Sequence, residues 1–183
     1  MMKVKIYYGL SGTFKGTTIS AGHPTRVMWS AIKPWKHYLG GSFKDLVPSN
    51  NLTFALLHLV RMQDYLRGEG DLVIERGISD FLFYHDSRLS PKEVGRIMVE
   101  EDILLRGIEV ERILLVQKDE DFIQEVVLRE PTRREIFKDV PSYLEAQEKY
   151  VKWTKEFNKI DKEIEIHNAK DYIERVLGLD FKV

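Results

Sequence analysis

Two stretches of this chain constrain its fold more than any others. Leu72-Val73-Ile74 and Ile113-Leu114-Leu115-Val116 are apolar without the alternation of a half-exposed strand, the pattern of strands covered on both faces. Longer segments of helical periodicity separate such runs, and short strands alternating with helices form parallel sheets with crossover helices. The strands expected on this basis are Lys3–Tyr8, Arg26–Ile32, Asp71–Glu75, Glu111–Gln117 and Glu163–His167. The expected helices are Leu52–Arg67, Ile78–His85, Pro91–Arg106, Glu120–Leu128, Ser142–Asn158 and Ala169–Leu177. Local punctuation agrees. Ser90-Pro91 is a helix start with serine at the cap and proline at the first position. Ser142 and Glu145 have the spacing of a capping box, and Gly68-Glu69-Gly70 closes one helix before the next strand. With 183 residues, no internal repeat and no low-complexity linker, the expectation is a single α/β domain spanning 1–183.

Composition narrows the partners. Hydrophobic residues at 43% and charged residues at 31% place the chain among globular proteins rather than disordered ones. The balance of 28 Lys+Arg against 29 Asp+Glu leaves no surplus cation to displace counterions from a nucleic-acid backbone, so a nucleic-acid partner is not expected. Zero cysteines exclude disulfides, thiolate catalysis and cysteine-held zinc, and fit a cytoplasmic location. No segment approaches the ~18 uninterrupted apolar residues of a membrane span. The first residues run into a strand pattern rather than a signal peptide's apolar core. His23, His37, His58, His85 and His167 lack metal-ligand spacing.

The segment after the first strand pattern carries the chemistry. Gly9-Leu10-Ser11-Gly12-Thr13-Phe14-Lys15-Gly16-Thr17-Thr18 approximates the phosphate-binding loop G-x-x-x-x-G-K-[ST], which follows a strand and opens a helix. Glycines let successive backbone N–H groups turn toward phosphate oxygens. The lysine adds a cation for the β- and γ-phosphates, and a hydroxyl helps hold magnesium. Two positions depart from the pattern: Phe14 stands where the second glycine belongs, and Gly16 where Ser or Thr belongs. Phe14 therefore needs a backbone angle that glycine adopts freely, and a place for its ring. Further along, Asp71–Glu75 ends in Glu75-Arg76. The carboxyl-terminal edge of a doubly wound sheet is where ligands sit. A carboxylate there can orient magnesium, and an arginine can neutralise a transferring phosphoryl group.

Gly-Lys-Gly-Thr is also how this loop reads in adenylate-kinase-like nucleotide kinases, with Thr17 supplying the hydroxyl. With that loop, three further segments resemble the thymidylate kinase and deoxynucleoside kinase group of P-loop kinases, and the set covers most of the chain. Glu75-Arg76-Gly77 with Ile78-Ser79-Asp80 is similar to the Glu-Arg-Ser motif of deoxynucleoside kinases and the Asp-Arg-Tyr motif of thymidylate kinases. Leu56-Leu57-His58-Leu59-Val60-Arg61-Met62-Gln63 resembles the thymidylate-kinase helix whose arginine and glutamine face the acceptor. Arg129-Glu130-Pro131-Thr132-Arg133-Arg134-Glu135, followed by Tyr143–Trp153, resembles the arginine-bearing lid and the helix after it.

The resemblance implies a three-layer α/β/α fold with a five-stranded parallel sheet and a helical lid at about 129–141. It implies ATP as donor, with magnesium at Thr17 and Glu75. Gly9, Gly12, Thr13, Lys15, Gly16, Thr17 and Thr18 would hold the phosphates, and Asn168 and Ala169 the adenine. Catalysis would fall to Lys15, Glu75, Arg76, Arg133 and Arg134, and acceptor contacts to Arg61, Gln63, Trp35, Arg76 and Arg129. Among the aromatic residues Trp29, Trp35, Tyr38, Phe43, Phe54, Phe81 and Tyr84, most fit core packing better than base stacking, with about one or two left for a ligand role. Around Trp35, the glutamate that serves deoxynucleoside kinases as general base aligns with Ser30. A monophosphate acceptor is already an anionic nucleophile, so the expected substrate is a (deoxy)nucleoside monophosphate of the thymidylate type. The alternatives are a nucleoside kinase acting on a 5′-hydroxyl, a nucleotide-binding module without catalysis, and a kinase acting on a nucleotide in DNA. A homodimer through packed helices is compatible with the group.

Overall fold

The computed structural model describes residues 2–29, 51–83, 91–157 and 164–178. Strands β1 (Lys3–Tyr8), β2 (Val27–Met28), β3 (Leu72–Glu75), β4 (Glu109–Val116) and β5 (Ile164–Asn168) form a five-stranded parallel sheet in the order β2-β3-β1-β4-β5. The register pairs Val27 with Val73 and Met28 with Ile74, and Arg112 with Ile164 through Val116 with Asn168. The described helices are α1 (Lys15–Ala21), α2 (Asn51–Leu66), α3 (Ile78–Phe83), α4 (Pro91–Leu104), α5 (Glu120–Phe122), α6 (Pro131–Ile136), α7 (Val140–Phe157) and α8 (Ala169–Leu177). The α/β class expected from the apolar runs is the one observed.

The chain divides into two compact units, one of Met1–Ile6 and Thr25–Glu111 and one of Tyr7–Pro24 and Arg112–Val183. In the first, α2 turns Ala55, His58, Leu59 and Met62 inward, the i, i+3, i+4, i+7 spacing of an amphipathic helix. Leu72 and Ile74 of β3 and Val94, Ile97 and Met98 of α4 are buried with them. In the second, Ile113, Leu114, Leu115 and Val116 of β4 are buried, as are Phe122, Tyr143, Tyr150, Ala169 and Ile173.

Most element ends lie within two residues of the sequence expectation, and the larger differences are local. Helix α7 begins at Val140 rather than Ser142, because the reciprocal cap is made by Asp139. The Ser142 N–H donates to Asp139 Oδ1 at 2.9 Å and the Asp139 N–H donates to Ser142 Oγ at 3.1 Å, while Glu145 pairs instead with Lys149 at 2.7 Å. Hydrogen bonds to the Asp139 carboxyl, from the Ser142 N–H first and the Ser142 side chain second, hold it below its ordinary pKa. The segment expected as one helix from Glu120 to Leu128 is helical only to Phe122 and continues as a wider π-turn over Ile123–Val127. Of the strand expected over Arg26–Ile32, Val27–Met28 pairs with β3 among the described residues, and 30–32 lie outside them. Arg26 itself closes the turn after α2, donating from its guanidinium to the Tyr65 carbonyl and, at 2.8 Å each, to those of Glu69 and Gly70.

Candidate functional site

Strand β1 delivers the chain into the loop of Gly9 to Phe14, and α1 starts at Lys15. Two glycines shape the loop. Gly9 has φ 153° and Gly12 φ 97°. A methyl carbon on Gly9 would collide with the Thr13 hydroxyl and lie 2.8 Å from the Leu115 carbonyl, and one on Gly12 would lie 2.5 Å from Val127 Cγ1. Thr13 then closes the turn, its N–H donating to the Leu10 carbonyl at 3.2 Å and its hydroxyl to the same oxygen at 3.0 Å.

Phe14 sits at the α1 cap with φ 54° and ψ 31°, the left-handed conformation that costs a non-glycine residue roughly 1–2 kcal/mol. Phe14 thus holds a backbone conformation that glycine adopts freely. The ring also has a destination. It meets Phe122 edge to face, centroids 5.6 Å apart, and the Arg133 guanidinium lies 5.7 Å over its centroid.

Lys15 is buried, with 4% of its surface exposed. Its ammonium donates to the Gly9 carbonyl, to the Leu10 carbonyl at 3.2 Å and to the Thr13 hydroxyl at 3.5 Å. The cation is therefore curled onto the loop that precedes it. Gly16 is half-buried. Of the two threonines, Thr17 is exposed, whereas buried Thr18 donates its hydroxyl to the Phe14 carbonyl at 3.0 Å.

Helix α7 supports this loop through residues that the motif does not contain. The Gly9 N–H donates to Tyr150 Oη at 2.9 Å. Gln147 accepts from the Gln117 N–H at 2.6 Å and donates to the Gln117 carbonyl at 2.7 Å, and the Gln117 side chain reaches the Gly12 carbonyl at 3.5 Å. Tyr143 is fully buried and packs edge to face on Phe137, centroids 5.0 Å apart. The sequence signal that could have found them is the i, i+4, i+7 spacing of Tyr143, Gln147 and Tyr150.

The arginines of the expected lid differ in setting. Arg129 pairs with Glu125 and is 75% exposed; Arg133 pairs with Glu130 at 3.4 Å and is 25% exposed; Arg134 is exposed. Pro131 opens α6. Beside Phe122, Asp119 caps α5 by accepting the Phe122 N–H at 2.9 Å, and its other oxygen takes the Lys170 ammonium at 3.1 Å. These contacts hold the Asp119 carboxyl below its ordinary pKa, the Phe122 amide first and Lys170 second. Half-buried Asn168 stands at the N-cap position of α8, and with Lys118, His167, Asp171 and Tyr172 it lines an open cleft of about 560 Å³; Ala169, the first residue of the helix, is buried.

In the first unit, Glu75 ends β3 half-buried, and Arg76 follows with φ 74°. The Ile78 N–H at the start of α3 donates to Glu101 Oε1 at 3.0 Å. On α2, Arg61 is half-buried while Gln63 lies on the exposed side with Leu56 and Val60. Buried His58 has its pKa pushed down to about 3, chiefly by burial and secondarily by Arg61. Trp35, with Ser30, His37, Tyr38, Phe43, Tyr84 and His85, lies outside the described residues.

No protein-family profile and no curated protein sequence matches the chain. Among solved structures, it is similar in fold to a deoxyadenosine kinase from M. mycoides, determined with the products dCMP and a flexible dCDP. The two share 14% sequence identity, with a TM-score of 0.54 and coverage of 97% of each chain.

Proposed function

We propose that the chain is an ATP-dependent phosphotransferase acting on a (deoxy)nucleoside-type acceptor, with a nucleoside monophosphate as its main substrate. The observation that carries the reading is the loop from Gly9 to Lys15. Its glycines at positive φ, a left-handed residue before the lysine and a lysine ammonium gathered onto the loop support a phosphate-binding role. Fold likeness to a deoxyadenosine kinase supports the same reading.

In the proposed reaction the bond from the γ-phosphorus to its bridging oxygen breaks and a bond to the acceptor oxygen forms, giving ADP and the phosphorylated acceptor. Little covalent work falls to the protein; positioning and positive charge do most of it. Lys15 would leave the Gly9 and Leu10 carbonyls for the donor phosphates, an exchange of one set of oxygens for a more negative one. The exposed Thr17 hydroxyl and the Glu75 carboxylate are hard oxygen donors that suit magnesium, which takes one or two protein ligands plus phosphate and water. That ion would neutralise charge on the phosphates. Arg76 and Arg61 would orient the acceptor, together with Gln63, Trp35 and Arg129. Lid arginines Arg133 or Arg134 would stabilise the charge that develops in transfer. Asn168 and Ala169 would border the adenine.

A nucleoside acceptor is the second reading, favoured by the nucleoside kinase in the fold comparison. A panel of nucleosides and their monophosphates with labelled ATP separates the two: labelled diphosphates support the first, labelled monophosphates the second. Lys15→Ala should abolish either transfer while the melting temperature stays within a few degrees of the parent. Unchanged turnover in that variant would remove the basis of the mechanism.

A further inference from the structure

We propose that Phe14 is a positioning residue for Arg133, its ring serving as the seat on which one chosen lid arginine rests beside the phosphate loop; this rests on the kinase reading above. The motif asks for glycine at this position, and the chain instead holds a phenylalanine in a left-handed conformation (φ 54°). Strain of that kind persists only where the surroundings over-determine it, and here the surroundings are specific. One side of the determination is Phe122, edge to face at 5.6 Å and 68°. The other is the Arg133 guanidinium, 5.7 Å from the ring centroid. A guanidinium over an aromatic face is attracted by the ring quadrupole, more strongly when partly desolvated.

The seat discriminates among the three lid arginines. Arg129 is 75% exposed and turned to Glu125, and Arg134 is exposed; Arg133 alone of the three lies over the ring, at 25% exposure. Glu130 holds the Arg133 Nε at 3.4 Å from the side, so the head group is held both beneath and beside. Phe122 is fixed in turn by the Asp119 cap and by Lys170, whose ammonium lies 5.9 Å from its ring. A cation held so close to the loop that would bind the donor needs only a short displacement to reach a phosphoryl oxygen. An arginine recruited from solvent would first have to lose its rotamer freedom. The aromatic substitution in the motif thereby becomes a gain of preorganisation rather than a lesion.

The test compares Phe14→Leu, Phe14→Tyr and the parent, each checked for folding by thermal melting. Replacing Phe14 with leucine keeps bulk and removes the ring face. It should lower kcat about tenfold with KM for ATP changed less than about threefold, and should add no further loss in an Arg133→Ala background. Phe14→Tyr, which retains the face, should restore kcat to within about twofold. An activity-independent reading comes from NMR. The Arg133 δ-methylene protons should be shifted upfield by the ring in the parent and in Phe14→Tyr, and should return to ordinary values in Phe14→Leu. If the parent is active but Phe14→Leu has its full kcat, or if Arg133 shows no ring-current shift in the parent, the seat is refuted and the kinase reading stands. A parent that shows the shift yet phosphorylates no nucleoside or nucleotide refutes the kinase reading, and the positioning role with it.

Discussion

Gly12 occupies a position where two demands coincide: φ is +97°, and a Cβ would start 2.5 Å from Val127 Cγ1. Gly12→Ala should therefore destabilise the chain by roughly 1–3 kcal/mol in a denaturant titration, and should weaken ATP binding with it. Retained stability would show that the loop is softer than its geometry implies. His58 makes a second prediction at this scale. Its folded pKa of about 3 lies below the unfolded value near 6.5, so below pH 6.5 the unfolded chain binds the extra proton. Stability should then fall as pH drops from about 6.5 toward 3, by up to about tenfold in the unfolding equilibrium per pH unit. Depressed carboxyls such as Asp119 and Asp139 also lose stability on acidification, but only as pH falls through their own lower range. The informative quantity is thus the slope between pH 4.5 and 6.5, which should flatten in His58→Leu. Identical slopes in the two proteins would contradict the assignment. Residue identity made the loop legible, because glycine and lysine spacing is local chemistry. The fate of Phe14 was not legible, because the groups that receive its ring are brought from α5 and α6 by the fold.

Helix α7 shows the same limit at the scale of elements. Its existence follows from periodicity, but it starts two residues before the expected Ser142, since Ser142 can act as a cap or as the third residue of a cap set by Asp139. Only the reciprocal bonds decide. Its role in holding the loop depends on contacts between residues 141 apart, Gly9 and Tyr150, and 105 apart, Gly12 and Gln117. Tyr150→Phe removes one oxygen and leaves the Gly9 amide without that acceptor, a change that typically costs 1–3 kcal/mol when the group is buried. The expected outcome is weaker ATP binding, by about tenfold in a calorimetric titration, with acceptor KM little changed. An ATP affinity equal to the parent's would mean that α7 does not hold the loop in its binding shape. Helix α8, by contrast, matches its expected bounds, Ala169–Leu177, and Gly178 in a left-handed conformation (φ 61°) ends it.

For the molecule as a whole, the unbroken apolar runs specify a parallel sheet, and the order β2-β3-β1-β4-β5 puts the loop-bearing strand β1 at its centre. Strand order is set by which crossovers skip a neighbour, information spread over the entire chain, and no local pattern carries it. Among the described residues no helix is long and apolar enough to cross a membrane. Phosphotransfer by this chain requires that the backbone from Gly9 to Thr18 wrap the phosphates of ATP. Hydrogen exchange read residue by residue, with and without magnesium and ATP, tests it most directly. Exchange at the amides of residues 9–18 should slow in the parent, and that protection should be lost in Lys15→Ala. Nucleotide-dependent protection confined to other segments, or none at saturating ATP, would contradict it.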